Sequence, residues 1–172
     1  SPPPSAPSTQ ATGPVTSASN RLSPPASAPR IQTPRAFSSR SVRAMEARFH
    51  VDAVQAERVE ATALAFLRQV RGDWKLEEQL AELVLRWAAR LHEVGLDIAH
   101  SHYHKHGAYL VENAGLRGFT PDEIAMIASL VRFHRGKDPR PVYPPFAALS
   151  DGERETVVLL VGLLRIAHAI GR

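Results

Sequence analysis

The sequence predicts an all-α fold, and three observations carry that expectation. Apolar residues recur with helical spacing from about Ser38 onward. Helix-start signals repeat along the chain, at Asp52-x-x-Gln55, Thr120-Pro121-Asp122-Glu123 and Ser150-x-x-Glu153. No segment alternates with period two except the histidine run at 100–106, which is too polar for a buried strand. The expected organisation is a Pro/Ser-rich tail over residues 1–36 followed by one helical domain over 37–172, with about six helices. A domain of that length buries about two-thirds of its unfolded surface, enough for a true core.

The tail holds nine of the fourteen prolines within its first 35 residues and almost nothing large and apolar. Such a composition does not offset its ordering entropy, so it is read as disordered. The first helix is expected over Phe37–His50, with a serine cap signal and Val42, Met45 and Phe49 on one face. A second starts at Asp52 and carries Val59, Ala63, Phe66, Leu67 and Val70, until Arg71-Gly72-Asp73 breaks it. Leu76, Leu80, Leu83, Val84, Trp87 and Leu91 form the clearest stripe, with Gly95 as the expected C-cap. A shorter helix follows around His102–Asn113 and is stopped by Gly115 and Gly118. The Thr120 signal opens a helix with Ile124, Ile127, Ala128 and Val131 inward, a proline-rich loop spans Pro139–Pro145, and Ser150 caps the last helix. That helix is apolar almost all round over Val157–Ile170, which predicts the buried central position.

Composition narrows function. There is no Cys, so thiolate metal sites and disulfides are excluded. The best transmembrane candidate, Val157–Ile170, is too short and carries Arg165 and His168, so no membrane association is expected. No secretory signal is evident, and a cytoplasmic location is the expectation. All seventeen acidic residues lie after position 40, alongside seventeen of the twenty-one basic ones, so the formal +4 belongs to the first forty residues, the tail and its junction. A nucleic-acid binder carries its basic excess on folded elements, so no specific nucleic-acid partner is expected.

Two constellations carry chemistry. Five of eight histidines, His92, His100, His102, His104 and His106, crowd into one short stretch. The His92-Glu93 pair closes a helix, where the dipole favours a protonated imidazole, and it is also a candidate metal-ligating pair. His102 and His106 are four apart, a spacing able to hold a divalent ion. His100 and His104 read as solvated loop or cap residues, and His50 and His168 as single packed histidines. The second constellation, Arg132-Phe-His134-Arg135-Gly-Lys137-Asp-Pro-Arg140, gathers cations at a helix end, a placement the dipole also favours.

Several stretches resemble the C-terminal helical domain of the exopolyphosphatase / guanosine pentaphosphate phosphohydrolase (Ppx/GppA) family. They are SVRAMEARFHVDAVQAERV at 41–59, WAARLHEVGLDI at 87–98, HKHGAYLVENAGLRGF at 104–119, EIAMIASLVRFHR at 123–135 and, less faithfully, 163–172. The resemblance covers nearly everything after Ser38 and leaves the proline-rich front unmatched. It implies an HD-like helical domain. It also implies that catalysis belongs to two actin-like α/β domains with glycine-rich phosphate loops, which this chain lacks. The chain is accordingly read as the accessory piece of a larger hydrolase, with no catalytic residue of its own. No cofactor is expected in this chain, and magnesium is expected only in the parent enzyme.

The resemblance further implies a partner, polyphosphate or guanosine pentaphosphate, held by Lys105, Arg132, His134, Arg135 and Lys137 through charge-assisted contacts. Arg86, Arg90 and Arg117 are expected nearby, and the parent protein is expected to be a homodimer. The family domain is in turn similar to metal-dependent HD phosphohydrolases, in which histidines and aspartates hold an ion. Carried over by position, the early histidine is replaced by Gln55, the His-Asp pair by His92-Glu93, and the late aspartate by Gly171. No metal site is assigned, and His92, Glu93, His102 and His106 are the candidates. Two alternatives stand beside the accessory-domain reading. One is a free-standing HD-type phosphohydrolase using His92, Glu93, His106 and His134. The other is a non-enzymatic scaffold whose tail recruits a partner.

Overall fold

The helices that open at Ala53, Glu78, Pro121 and Asp151 each begin where a side chain accepts from their unpaired N–H groups. The computed structural model describes residues 2–5, 34–136 and 142–172. The residues Lys137 and Arg140, the first part of the expected proline-rich loop and most of the tail expected to be disordered therefore lie outside the described residues; of that tail, Pro2–Ser5 are exposed and without regular secondary structure, whereas Pro34–Ala36 are helical, so the helical domain begins earlier than the expected boundary at 37.

Seven α-helices and a short 3-10 helix, with no strand among the described residues, make up the fold: α1 (Pro34–Arg48), α2 (Ala53–Val70), α3 (Glu78–Leu91), the 3-10 helix (Val94–Asp97), α4 (Tyr103–Asn113), α5 (Pro121–Phe133), α6 (Pro144–Ala147) and α7 (Asp151–Ile170). Asp52 caps α2 by accepting from the Gln55 N–H. Thr120 with Glu123 and Ser150 with Glu153 form reciprocal capping boxes on α5 and α7. The extra helix relative to the sequence expectation is α6, a single turn opened by Pro144 and Pro145, whose fixed φ suits a first turn.

Three local expectations are corrected. The serine signal near Ser38 is not a cap, because α1 starts at Pro34 and the Ser38 hydroxyl donates instead to the Gly118 carbonyl at 2.7 Å, with Ser41 donating to the Arg117 carbonyl at 3.0 Å. These bonds pin α1 to the loop before α5. Gly95 does not cap α3, which ends at Leu91 with His92 as its C-cap. Gly95 is required for close approach: a Cβ there would lie 2.0 Å from the Tyr103 carbonyl oxygen and 2.5 Å from the Gly107 nitrogen. Nor is α7 the central helix. Six consecutive residues of α5, Met126–Val131, are fully buried, whereas Val158, Ile166 and Ile170 of α7 are about half exposed or more. Helix α5 holds the middle because α3, α4, α6 and α7 all pack on it.

The remaining framework pairs α2 with α3, α4 with α5, and α7 with α2. A buried ion-pair network locks α1 and α2 to α3. The Arg90 guanidinium donates from Nε to Glu46 at 2.5 Å and from Nη2 to the same carboxylate at 3.1 Å, and its Nη1 lies 3.3 Å from both Glu57 and Glu60. These carboxylates hold the Arg90 pKa well above its ordinary value. Arg86 is engaged likewise by Glu82 and Glu60. Both arginines are thus committed to carboxylates of their own fold.

Candidate functional site

Helices α3 and α5 end in the same way. Each terminates on a histidine whose ring folds back on its own last turn: His92 Nδ1 donates to the Ala89 carbonyl and His134 Nδ1 to the Val131 carbonyl, both at 2.6 Å. Those bonds place the proton on Nδ1 and leave Nε2 of each ring as an acceptor. His92 Nε2 accepts from His168 Nδ1, on the last turn of α7, at 3.1 Å. His134 Nε2 accepts from the Tyr103 hydroxyl at the start of α4, at 3.4 Å.

The three imidazoles meet edge to face, with ring centroids 5.3 Å apart for His92–His134, 5.0 Å for His92–His168 and 5.4 Å for His134–His168. All three are buried. Glu93 Oε1 stands 3.7 Å from His92 Nε2. One ligand atom each from His92, Glu93 and His168 fall within 4.8 Å of one another. Nε2 of His168 is buried with no hydrogen-bond partner. His104, half-buried, approaches His134 from α4 at 6.4 Å between centroids.

Burial sets the electrostatics. It pushes the His92 imidazole down to about 4, against the opposing bond to Ala89 and assisted by Arg172. His168 falls to about 4 through burial, then through His92 and Arg172. His134 lies well below its ordinary value, again through burial first. The helix-end dipole that would favour a protonated His92 is therefore outweighed by desolvation. At neutral pH the cluster is uncharged.

His134 and His168 form the floor of an open depression of about 490 Å³ whose other polar lining among the described residues is Arg135, Arg165 and Arg172, with no carboxylate among those described lining residues. The Arg165 guanidinium closes the end of α5, donating to the Phe133 carbonyl from Nε at 3.1 Å and from Nη2 at 2.9 Å, and to the Gly136 carbonyl at 3.2 Å. Arg135 lies over the Tyr103 ring at 5.2 Å. A larger groove of about 570 Å³ runs between α1 and α3, but its carboxylates are spoken for: Glu77 caps α3, Glu78 pairs with Arg71 and Glu82 with Arg86.

Of the residues singled out from sequence, His92, Glu93, His134 and Arg135 come together here. Arg132 sits one turn back, 4.5 Å over the Tyr143 ring. Lys105 is exposed on α4, and Lys137 is outside the described residues. His102 is exposed, holds a left-handed backbone at φ 56° as the N-cap of α4, and bonds to Ser101 at 2.8 Å. His106 is half-buried. Neither joins His92 and Glu93 in the convergent group.

Sequence reasoning missed His168, Tyr103 and Arg172. His168 had one usable signal: it lies three residues before Gly171, on the same side of α7. The positions of Gln55 and Gly171 do adjoin, since a Cβ on Gly171 would lie 3.7 Å from Gln55 Nε2. His168 supplies a polar group one turn earlier. Among protein families, the model described as Ppx/GppA phosphatase, domain III, matches residues 38–172.

Proposed function

The chain belongs to the Ppx/GppA phosphatase family through this domain III, and from that premise we propose that its helices grip a polyphosphate-like anion while the phosphoanhydride bond is broken elsewhere in the parent enzyme. Magnesium belongs, in this reading, with that hydrolytic machinery and not with these helices. The observation that carries the reading is the depression over the histidine cluster. Arg135 and Arg172 stand exposed at it, Arg165 shapes it, and no carboxylate is among its described lining residues.

The chemistry suits a flexible polyanion. Polyphosphate bears about one charge per unit, and arginine forks hold such oxygens in pairs while releasing counterions. Guanosine pentaphosphate presents the same anionic groups on a nucleoside. Lys105, Arg132 and Lys137 extend the cationic border beyond the depression in this proposal. A homodimer contact is supported by the outward stripe on α7, where Val158, Gly162, Ile166 and Ile170 recur every fourth residue and are all exposed. A cytoplasmic setting accords with a polyphosphate partner, and no helix among the described residues is long and apolar enough to cross a membrane.

Fluorescence anisotropy with labelled polyphosphate tests the grip. Binding should weaken steeply with added salt, and Arg135→Gln with Arg172→Gln together should reduce affinity about tenfold or more, about 1.4 kcal/mol per decade. Arg58→Gln, an exposed cation on α2, should leave it unchanged. Salt-insensitive binding, or phosphate release with magnesium that scales with this chain, would refute the reading.

A further inference from the structure

Three imidazoles in the middle of an apolar helical domain need a reason. Hydrogen bonding accounts for part of the cluster, since Nδ1 of His92 and of His134 is satisfied by a carbonyl and each Nε2 has a donor. It does not account for His168, whose second nitrogen is buried and unpartnered. A buried polar group left in that state costs free energy, and an apolar residue at the same place would avoid the cost. The half-buried carboxylate of Glu93, aimed at the same spot 3.7 Å from His92 Nε2, adds a negative charge where hydrogen bonding alone has no use for one.

We infer that His92, Glu93 and His168 form a binding site for a first-row divalent transition metal, zinc being the simplest occupant. The donor set is two imidazoles and a carboxylate, which suits zinc, cobalt or manganese and not magnesium or calcium alone, whose sites are built from oxygen. Bonds of about 2.0–2.1 Å in a tetrahedral arrangement place neighbouring ligand atoms about 3.3 Å apart. The His92–His168 nitrogens at 3.1 Å and the His92–Glu93 pair at 3.7 Å straddle that value. Coordination through His168 Nδ1 would exchange the hydrogen bond between the two rings for two coordinate bonds and move the His168 proton to Nε2.

The surroundings meet the further requirements of such a site. The Ala89 carbonyl holds the proton of His92 on Nδ1, which fixes the tautomer and presents Nε2 as a ligand, the orienting role that outer partners play at metal centres. Three protein ligands leave a fourth position open. His168 also lines the open depression, which gives the ion a path in from solvent. Arg135 and Arg172 stand at that depression and act against a cation, so binding is expected to be of moderate strength and to tighten when an anion occupies the depression. The inference does not depend on the polyphosphate reading, because the ligands and the path exist whatever the anion is.

The test uses the full 172-residue chain stripped with a chelator and titrated with zinc(II) alone by calorimetry, and with cobalt(II) alone by visible absorption. One equivalent should bind, with the absorption of a low-symmetry cobalt centre and a raised melting temperature. His168→Ala and Glu93→Gln should each lower affinity tenfold or more, while the His102→Ala/His106→Ala double variant should match the parent. Circular dichroism identifies a variant that has not folded, and Glu93→Gln keeps shape if His168→Ala does not. Absence of stoichiometric uptake by the folded parent overturns the inference. So does uptake that survives Glu93→Gln and His168→Ala or vanishes with the His102/His106 variant.

Discussion

Two sets of histidines divide this molecule. His100, His102, His104 and His106 are crowded in sequence but spread over the entry to α4, and two of the four are exposed. His92, His134 and His168 are scattered, the first and last 76 positions apart, yet their rings touch. Density along a chain is a poor guide to convergence. Every-second spacing at a helix start sends side chains in different directions, whereas three helix ends packed together bring distant residues to one point.

The sharpest way to break the contrast is at Gly95, which lets the turn after His92 lie directly against α4. Gly95→Ala places a methyl against backbone atoms that have no room to move, and stability should fall by about 4 kcal/mol or more. Urea denaturation measures this, and a loss under about 1 kcal/mol would mean that the two regions are not held together there.

Acid should discriminate the two sets next. In metal-free protein the unfolded histidines take up protons below about 6.5, while His92 and His168 stay neutral in the fold until about 4. Protonation therefore favours the unfolded state. Stability is fully present above pH 6.5 and declines as pH falls toward 4, by about 3 kcal/mol for His92 alone. Denaturation midpoints across that window should show the slope in the parent and in His100→Gln, and a shallower slope in His168→Gln.

The smallest effects separate single contacts. Tyr103→Phe removes the hydroxyl donor to His134 and should cost about 1 kcal/mol. His100→Ala, at an exposed position, should stay within about 0.5 kcal/mol of the parent. Equal losses from the two would erase the distinction between the buried and the exposed set.

Local chemistry made much of the fold legible. The Thr120 and Ser150 boxes, the Asp52 cap and the α3 stripe are short-range patterns, and the structure forms each of them. The misreadings share a cause. Ser38 looked like a cap, Gly95 like a helix stop and α7 like the central helix because each has the composition for that role. Partners far along the chain decided otherwise: Gly118 took the serine hydroxyl, Tyr103 and Gly107 required the glycine, and four helices enclosed α5. The candidate site was half legible. His92-Glu93 and the Arg132–Arg135 segment announced themselves by type and spacing, but His168 was one histidine on an apolar helix.

By itself the sequence determined that the chain after Ser38 is helical, where most helices begin, and which family it belongs to, because caps and apolar periodicity act within one or two turns. Only the tertiary structure decided which histidines lose their water, which arginines are spent on carboxylates and which remain at the depression. Desolvation and charge pairing depend on what packs alongside, and that is fixed by contacts between residues tens of positions apart.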